Sequence, residues 1–277
     1  MLGKLIKHEW KSTCKVGALM LFVMLLISFL GWAAFQSPMW HNVNDSRYRV
    51  NILDVLSIVT IVMYVFMLMG VLYGILIYLG VHFYRTMYTD QGYLTHTLPV
   101  GKHELLMSKI IVSSLWMLLI MLAMFLSVMI LLSSLVMAVA PAGYTLGQVW
   151  YEIFTSIGEL MDLINYNPYF VWGRTMAVIL IYLVLSPFTT VTILFGAISA
   201  GQFFTRFRVV MAIICYIGIL VVNSVFNSII QNFMLFTSTL GGYMDITLFL
   251  NTMVSTLIAV GLYFVSWFII SKKLNME

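Results

Sequence analysis

Charge is scarce in this 277-residue chain: Asp, Glu, Lys and Arg make up 9% of it, against 62% apolar or aromatic residues and a mean hydropathy of +1.03. Soluble domains carry about 25% charged residues, so the composition excludes a soluble globule and points to a polytopic membrane protein. Cysteine is nearly absent, and Cys14 and Cys215 alone supply neither a disulfide framework nor a Cys-based zinc site. The five histidines are scattered, and His103-Glu104 runs on into Leu105-Leu106-Met107, without the second histidine of a zinc-protease helix. A catalytic metal is not expected. The phosphate-binding pattern G-x-x-x-x-G-K-[ST] is also missing, so the chain has no such loop with which to hold ATP.

Long apolar runs are plentiful instead. Charge-free stretches fall at 16–36, 55–81, 110–138, 175–200, 209–230 and 247–271, each long enough to cross about 30 Å of hydrocarbon as helix. The predicted fold class is all-α with six transmembrane helices. Lys4, Lys7, Lys11, Lys15, Arg85, Lys102, Lys109, Arg206, Arg208, Lys272 and Lys273 lie on the side shared by both termini, and Arg47, Arg49 and Arg174 on the other. The positive-inside bias makes the first side cytoplasmic and the location a cell membrane. The first span follows a basic stretch but exceeds a signal-peptide core and lacks a convincing small-x-small cleavage site, so it reads as retained. None of the six runs contains a charged residue. Ion-coupled transporters place ionisable groups at membrane depth, so any driving force is expected from elsewhere.

Residues 1–15 read as a cytoplasmic amphipathic helix, since Lys4, Lys7, Lys11 and Lys15 fall within about 80° of one another at 100° per residue, opposite Leu2, Leu5, Ile6 and Trp10. Such a helix lies at headgroup level. Glu9 projects from its apolar side, either locally paired or snorkelling, or touching a cytoplasmic partner. Between spans two and three the chain reads as a short helix, a break at Gly92, a turn ending in Leu98-Pro99, and a new helix. Gly101 suits its N-cap, with Glu104 at the third helical position beside the positive end of the dipole.

Asp90, Gly92, Leu98-Pro99, Lys102, Glu104 and Lys109, set in a six-span layout behind an amphipathic N-terminal helix, resemble the membrane permease subunits of type-two ATP-binding-cassette exporters. Gly101 stands where that family usually has Ser or Thr, which leaves half of a capping box. The resemblance implies that the stretch after span two forms a coupling helix seated in a cytoplasmic ATPase, with the N-terminal helix beside it. It makes Tyr84, Arg85, Tyr88, Asp90, Gln91 and Glu104 candidate ATPase contacts, against a simple solvated loop. The stretch from Gly201 to Arg208, with Arg206, is either a second contact or a turn anchored at the lipid interface. ATP and Mg would be bound by the partner ATPase, with no cofactor in this chain. A second permease subunit, identical or a sister chain, would complete the path.

Asn223, Asn227 and Gln231 recur at four-residue spacing in span five. Amides in lipid are costly unless paired or hydrated, so these face another helix or line a translocation path. Ser186-Pro187 in span four, near Thr189, Thr190 and Thr192, frees a backbone carbonyl. Gly70-x-x-x-Gly74 and Gly196-x-x-x-Ala200 permit close approach, within one subunit or across a dimer. Between spans three and four, Leu146, Val149, Trp150, Ile153, Ile157, Leu160, Met161 and Ile164 repeat at helical spacing opposite Glu152, Ser156 and Glu159, behind a Thr145/Gln148 capping box. This predicts an amphipathic helix on the outer face, as an anchor or a lid.

The predicted organisation is an amphipathic helix at 1–15, a six-span domain at 16–271 and a cytoplasmic tail at 272–277. The predicted function is the permease subunit of an exporter that moves a hydrophobic or amphipathic compound, whether a peptide antibiotic, a drug or a lipid-linked molecule. Its partners are a separate ATPase, a second permease and the bilayer, with no nucleic acid. A non-transporting immunity or sensor subunit is the alternative. No catalytic residues are expected, because the spans hold no acid, base or histidine to pair with a nucleophile.

Overall fold

The computed structural model describes residues 2–41, 49, 51–89, 91–92, 97, 100–139, 145–165, 172–204, 206–237 and 244–272. Among these, all regular structure is helical: α1 (Leu2–Ala34), α2 (Pro38–His41), α3 (Ile52–Tyr88), α4 (Lys102–Val139), α5 (Leu146–Asn165), α6 (Trp172–Gly201), α7 (Arg208–Thr237) and α8 (Met244–Lys272). Six of them, α1, α3, α4, α6, α7 and α8, are long and apolar enough to cross a membrane. At 1.5 Å per residue, the 33, 37 and 38 residues of α1, α3 and α4 give about 50–57 Å of helix, well beyond about 30 Å of hydrocarbon.

The exposed surface agrees with lipid contact. Phe66, Leu25, Leu126 and Phe125 are 70%, 67%, 61% and 55% exposed, whereas Ser108, Ser113, Ser114, Ser127 and Ser134 of α4 are buried. Water would drive the opposite arrangement. Apolar side chains outside and hydroxyls inside are what a multi-pass membrane protein requires.

Two of the predicted boundaries shift. Residues 2–15 are the first turns of α1 rather than a separate element, because no proline interrupts the segment and its lysines, leucines and glutamate are good helix formers. The short helix expected after span two is likewise the continuation of α3 through Tyr88. Gln91 and Gly92 are helical, and the Gly92 N–H donates to the Thr89 carbonyl at 2.7 Å. A Cβ on Gly92 would lie 2.6 Å from the Met87 carbonyl oxygen, so this close approach requires glycine. Leu98-Pro99, Asp90, Lys273 and most of the predicted tail lie outside the described residues.

The helix starts follow local chemistry. Gly101 precedes α4, its carbonyl accepting the Leu105 N–H at 3.1 Å, and Glu104 occupies the first turn. At α5 the Gln148 side chain reaches back to accept the Thr145 N–H at 2.8 Å, the reciprocal half of a capping box. Asn51 and Asp54 make the same arrangement at α3, where Asp54 accepts the Asn51 N–H at 2.7 Å and the Ser37 hydroxyl at 2.6 Å. Asp54 is fully buried, and a carboxylate so held at a helix N-terminus is favoured by the dipole. Asp54→Asn replaces two charge-assisted bonds by weaker ones, with an expected loss of about 1–2 kcal/mol in detergent thermal unfolding; an unchanged midpoint would refute this role.

The chain divides into two compact units. One comprises Cys14–Ile75 and Leu119–Leu163. In it Tyr64 Oη lies 2.8 Å from Ser127 Oγ, which lies 2.7 Å from Ser28 Oγ, so three buried hydroxyls join α1, α3 and α4. The other comprises Met1–Thr13, Leu76–Leu118 and Ile164–Glu277. Here α6 packs against α7 and α8, and Phe83 stacks on Phe195 with ring centroids 4.0 Å apart. A Cβ on Gly196 would lie 2.6 Å from Leu262 Cβ, and one on Gly201 would lie 2.7 Å from the Ala212 backbone. These two glycines set the spacing of α6 from α8 and α7.

Candidate functional site

Within this second unit α6, α7 and α8 enclose a cavity of about 310 Å³. Each helix presents one face to it. Tyr182, Ser186, Thr189 and Thr190 come from α6, Tyr216, Asn223, Asn227 and Gln231 from α7, and Asn251, Thr252 and Ser255 from α8, with Ile193, Leu220 and Leu248 as the apolar part of the wall. The intervals of three and four residues on every helix place these side chains on single faces. The three α7 amides predicted to share a stripe are therefore brought together on one wall, where Asn223 and Asn227 are half-buried against the polar faces of α6 and α8 and Gln231 is exposed at its edge.

No lining residue is an acid, a lysine, an arginine or a histidine. The Ser255 hydroxyl donates to Asn223 Oδ1 at 3.1 Å. Thr189 and Thr190 both donate to the Ser186 carbonyl, at 3.0 and 2.8 Å, and Thr252 to the Leu248 carbonyl at 2.7 Å. The first two bonds lie next to Pro187, through which α6 runs unbroken. Ser186 Oγ, Asn227 Oδ1 and Asn251 Oδ1 are buried without a hydrogen-bond partner, a costly state in an apolar medium. The wall thus offers amides and hydroxyl lone pairs without a formal charge.

The predicted coupling residues are placed differently from one another. Arg85 and Gln91 are exposed, and Tyr84 is half-buried with its ring 6.3 Å from that of Tyr88. Tyr88 turns inward and donates its hydroxyl to Ser199 of α6 at 2.8 Å. Glu104 is half-buried in the first turn of α4. Next to it Lys102 donates to the Ile270 and Ser271 carbonyls at 3.2 and 3.3 Å, a cation at the C-terminal end of α8 where the dipole favours it. Arg206 is exposed, its guanidinium 5.5 Å from the Phe207 ring, and Phe207 carries a φ of 60°. Asp90 lies outside the described residues.

A second polar cluster joins α1, α3 and α4. Lys109 Nζ donates to Glu9 Oε1 and, at 2.9 Å, to Thr86 Oγ1, while His82 Nε2 lies 3.3 Å from Glu9 Oε2. Trp10 stacks on Trp116 at 4.6 Å, and the Trp116 N–H donates to the Thr13 hydroxyl at 2.9 Å. Lys109 is 3% exposed and Glu9 8%. Along the chain Lys109 reads as an orienting cation and as part of the exporter-like stretch, with nothing to mark it as the partner of Glu9. The one available signal was Glu9 on the apolar side of its helix, and of the readings open to it the structure selects local pairing. No group of three or more potential metal ligands occurs among the described residues.

Comparison with protein-family models, curated proteins and solved structures finds no match for this chain.

Proposed function

We propose that this protein is the membrane permease subunit of an ATP-binding-cassette exporter, lying in the cell membrane with both termini cytoplasmic and moving a hydrophobic or amphipathic compound outward. The uncharged, amide-lined cavity within α6, α7 and α8 carries this reading. A path through apolar helices needs polar groups that a cargo can exchange for water, and coupling to an ion gradient needs ionisable ones. This cavity has the former and lacks the latter, so its energy comes from another subunit. The distribution of Lys and Arg supports the orientation, and the residues from Asp90 to Lys109 support the ATPase partnership through their resemblance to the exporter family. Arg85 and Arg206, both exposed, are free to meet that partner. ATP and Mg belong to the ATPase, and a second permease subunit completes the transporter.

The test is to co-express the tagged chain with each cassette ATPase of its source organism and to measure co-purification and ATP hydrolysis. One ATPase is expected to co-purify, and Arg85→Glu should weaken its retention at least about tenfold, the scale of a like-charge juxtaposition in an interface. Retention of no ATPase would overturn the reading in favour of a non-transporting immunity or sensor subunit.

A further inference from the structure

The chemistry of the cavity wall restricts what it takes. A ligand ion buried there would meet no formal counter-charge, and unpaired buried charge is strongly disfavoured. The buried part of the ligand is therefore neutral. Four wall hydroxyls, on Thr189, Thr190, Thr252 and Ser255, already spend their protons on carbonyl oxygens, so they turn only lone pairs to a ligand and select N–H or O–H donors. Asn227 and Asn251 bring amides whose oxygens lack partners; a carboxamide that turns about its last torsion offers N–H and C=O together. A secondary amide answers both at once. The volume, about 310 Å³, stands at the small end of ligand sites and admits two residues rather than a long chain.

We infer that the cavity formed by α6, α7 and α8 within one copy of the chain is a binding site for a neutral peptide segment of about two residues, recognised through its backbone amides. This specifies the cargo class and rests on the permease reading; the site itself needs neither an ATPase nor a second permease. A hydroxyl-rich ligand would satisfy the lone pairs but leave the amide N–H groups with weaker matches, so peptide backbone is the better complement.

The experiment uses the full chain in lipid nanodiscs and radiolabelled N-acetyl-leucyl-leucine amide as probe. Saturable binding is expected, at least about tenfold weaker for the analogue N-methylated at both leucines and for the free-acid analogue. Asn227→Leu and Asn251→Leu should each weaken binding by a similar factor while Asn227→Gln retains most of it. The analogue comparison uses the wild-type chain, so it decides the matter even where a variant fails to fold. Absence of saturable binding, equal binding of the N-methylated analogue, or displacement by octyl glucoside at the same concentration as by unlabelled probe would overturn the inference. Binding without any co-purifying ATPase would sink the permease reading and leave the site standing. A co-purifying ATPase with no peptide binding would do the reverse.

Discussion

Lys109→Met is expected to destabilise the protein by about 3–5 kcal/mol, the usual loss when one partner of a buried ion pair is removed. Lys109 is 3% exposed and donates to both Glu9 and Thr86. Its loss strands the Glu9 carboxylate, 8% exposed, with only His82 beside it at 3.3 Å. The paired change Glu9→Gln with Lys109→Met removes both charges and should recover most of the loss, because the stranded charge and not the missing attraction dominates the penalty. Thermal unfolding of the purified chain in detergent, followed by tryptophan fluorescence, reads the cycle directly since Trp10 and Trp116 stack beside the pair. A single variant within about 1 kcal/mol of the natural chain would show that the pair contributes little beyond a surface salt bridge. The same pair ties the first turns of α1 to α4, so under the permease reading Lys109→Met also uncouples hydrolysis from transport.

Gly196→Val should be nearly as damaging. Even the first carbon of a side chain there would sit 2.6 Å from Leu262 Cβ, a contact that only separation of α6 and α8 relieves. Gly196→Ala is expected to cost about 1–3 kcal/mol and Val more. Because α6 and α8 also wall the cavity through Ser186, Thr190, Asn251 and Ser255, binding of the capped dipeptide should fall with stability. Gly70 supplies the contrast. It too opens a small-x-x-x-small pattern, yet nothing lies within 4 Å of a Cβ placed on it. Gly70→Ala should be neutral or stabilising by up to about 1 kcal/mol through helix propensity. Equal melting temperatures for Gly196→Ala and Gly70→Ala would refute the packing role.

These two glycines mark how far the sequence can be read. Both patterns look alike along the chain, and a spacing of four says that two residues share a face without saying what that face meets. Glu9 and Lys109 stand 100 positions apart, one in a segment that reads as a membrane-surface helix and the other at the lead-in to span three, and neither segment points to the other. Asn223, Asn227 and Gln231 declared themselves as a stripe because they lie on one helix at one period. Ser186 was marked only for the carbonyl that Pro187 frees, and Asn251 and Ser255, though also four residues apart, form a pair too short to stand out as a stripe; these three complete the same cavity.

What the sequence determined alone is the set of six apolar helices and the starts of α4 and α5, because hydropathy over about 20 residues and capping over about four are local properties. Tertiary structure decided which polar groups meet: the buried Glu9–Lys109 pair, Tyr88 with Ser199, and the uncharged cavity of α6, α7 and α8. In lipid an unpartnered polar group is expensive wherever it points, so polar residues gather on one another or around a cavity, and which of them meet is chosen by helix packing and not by chain order.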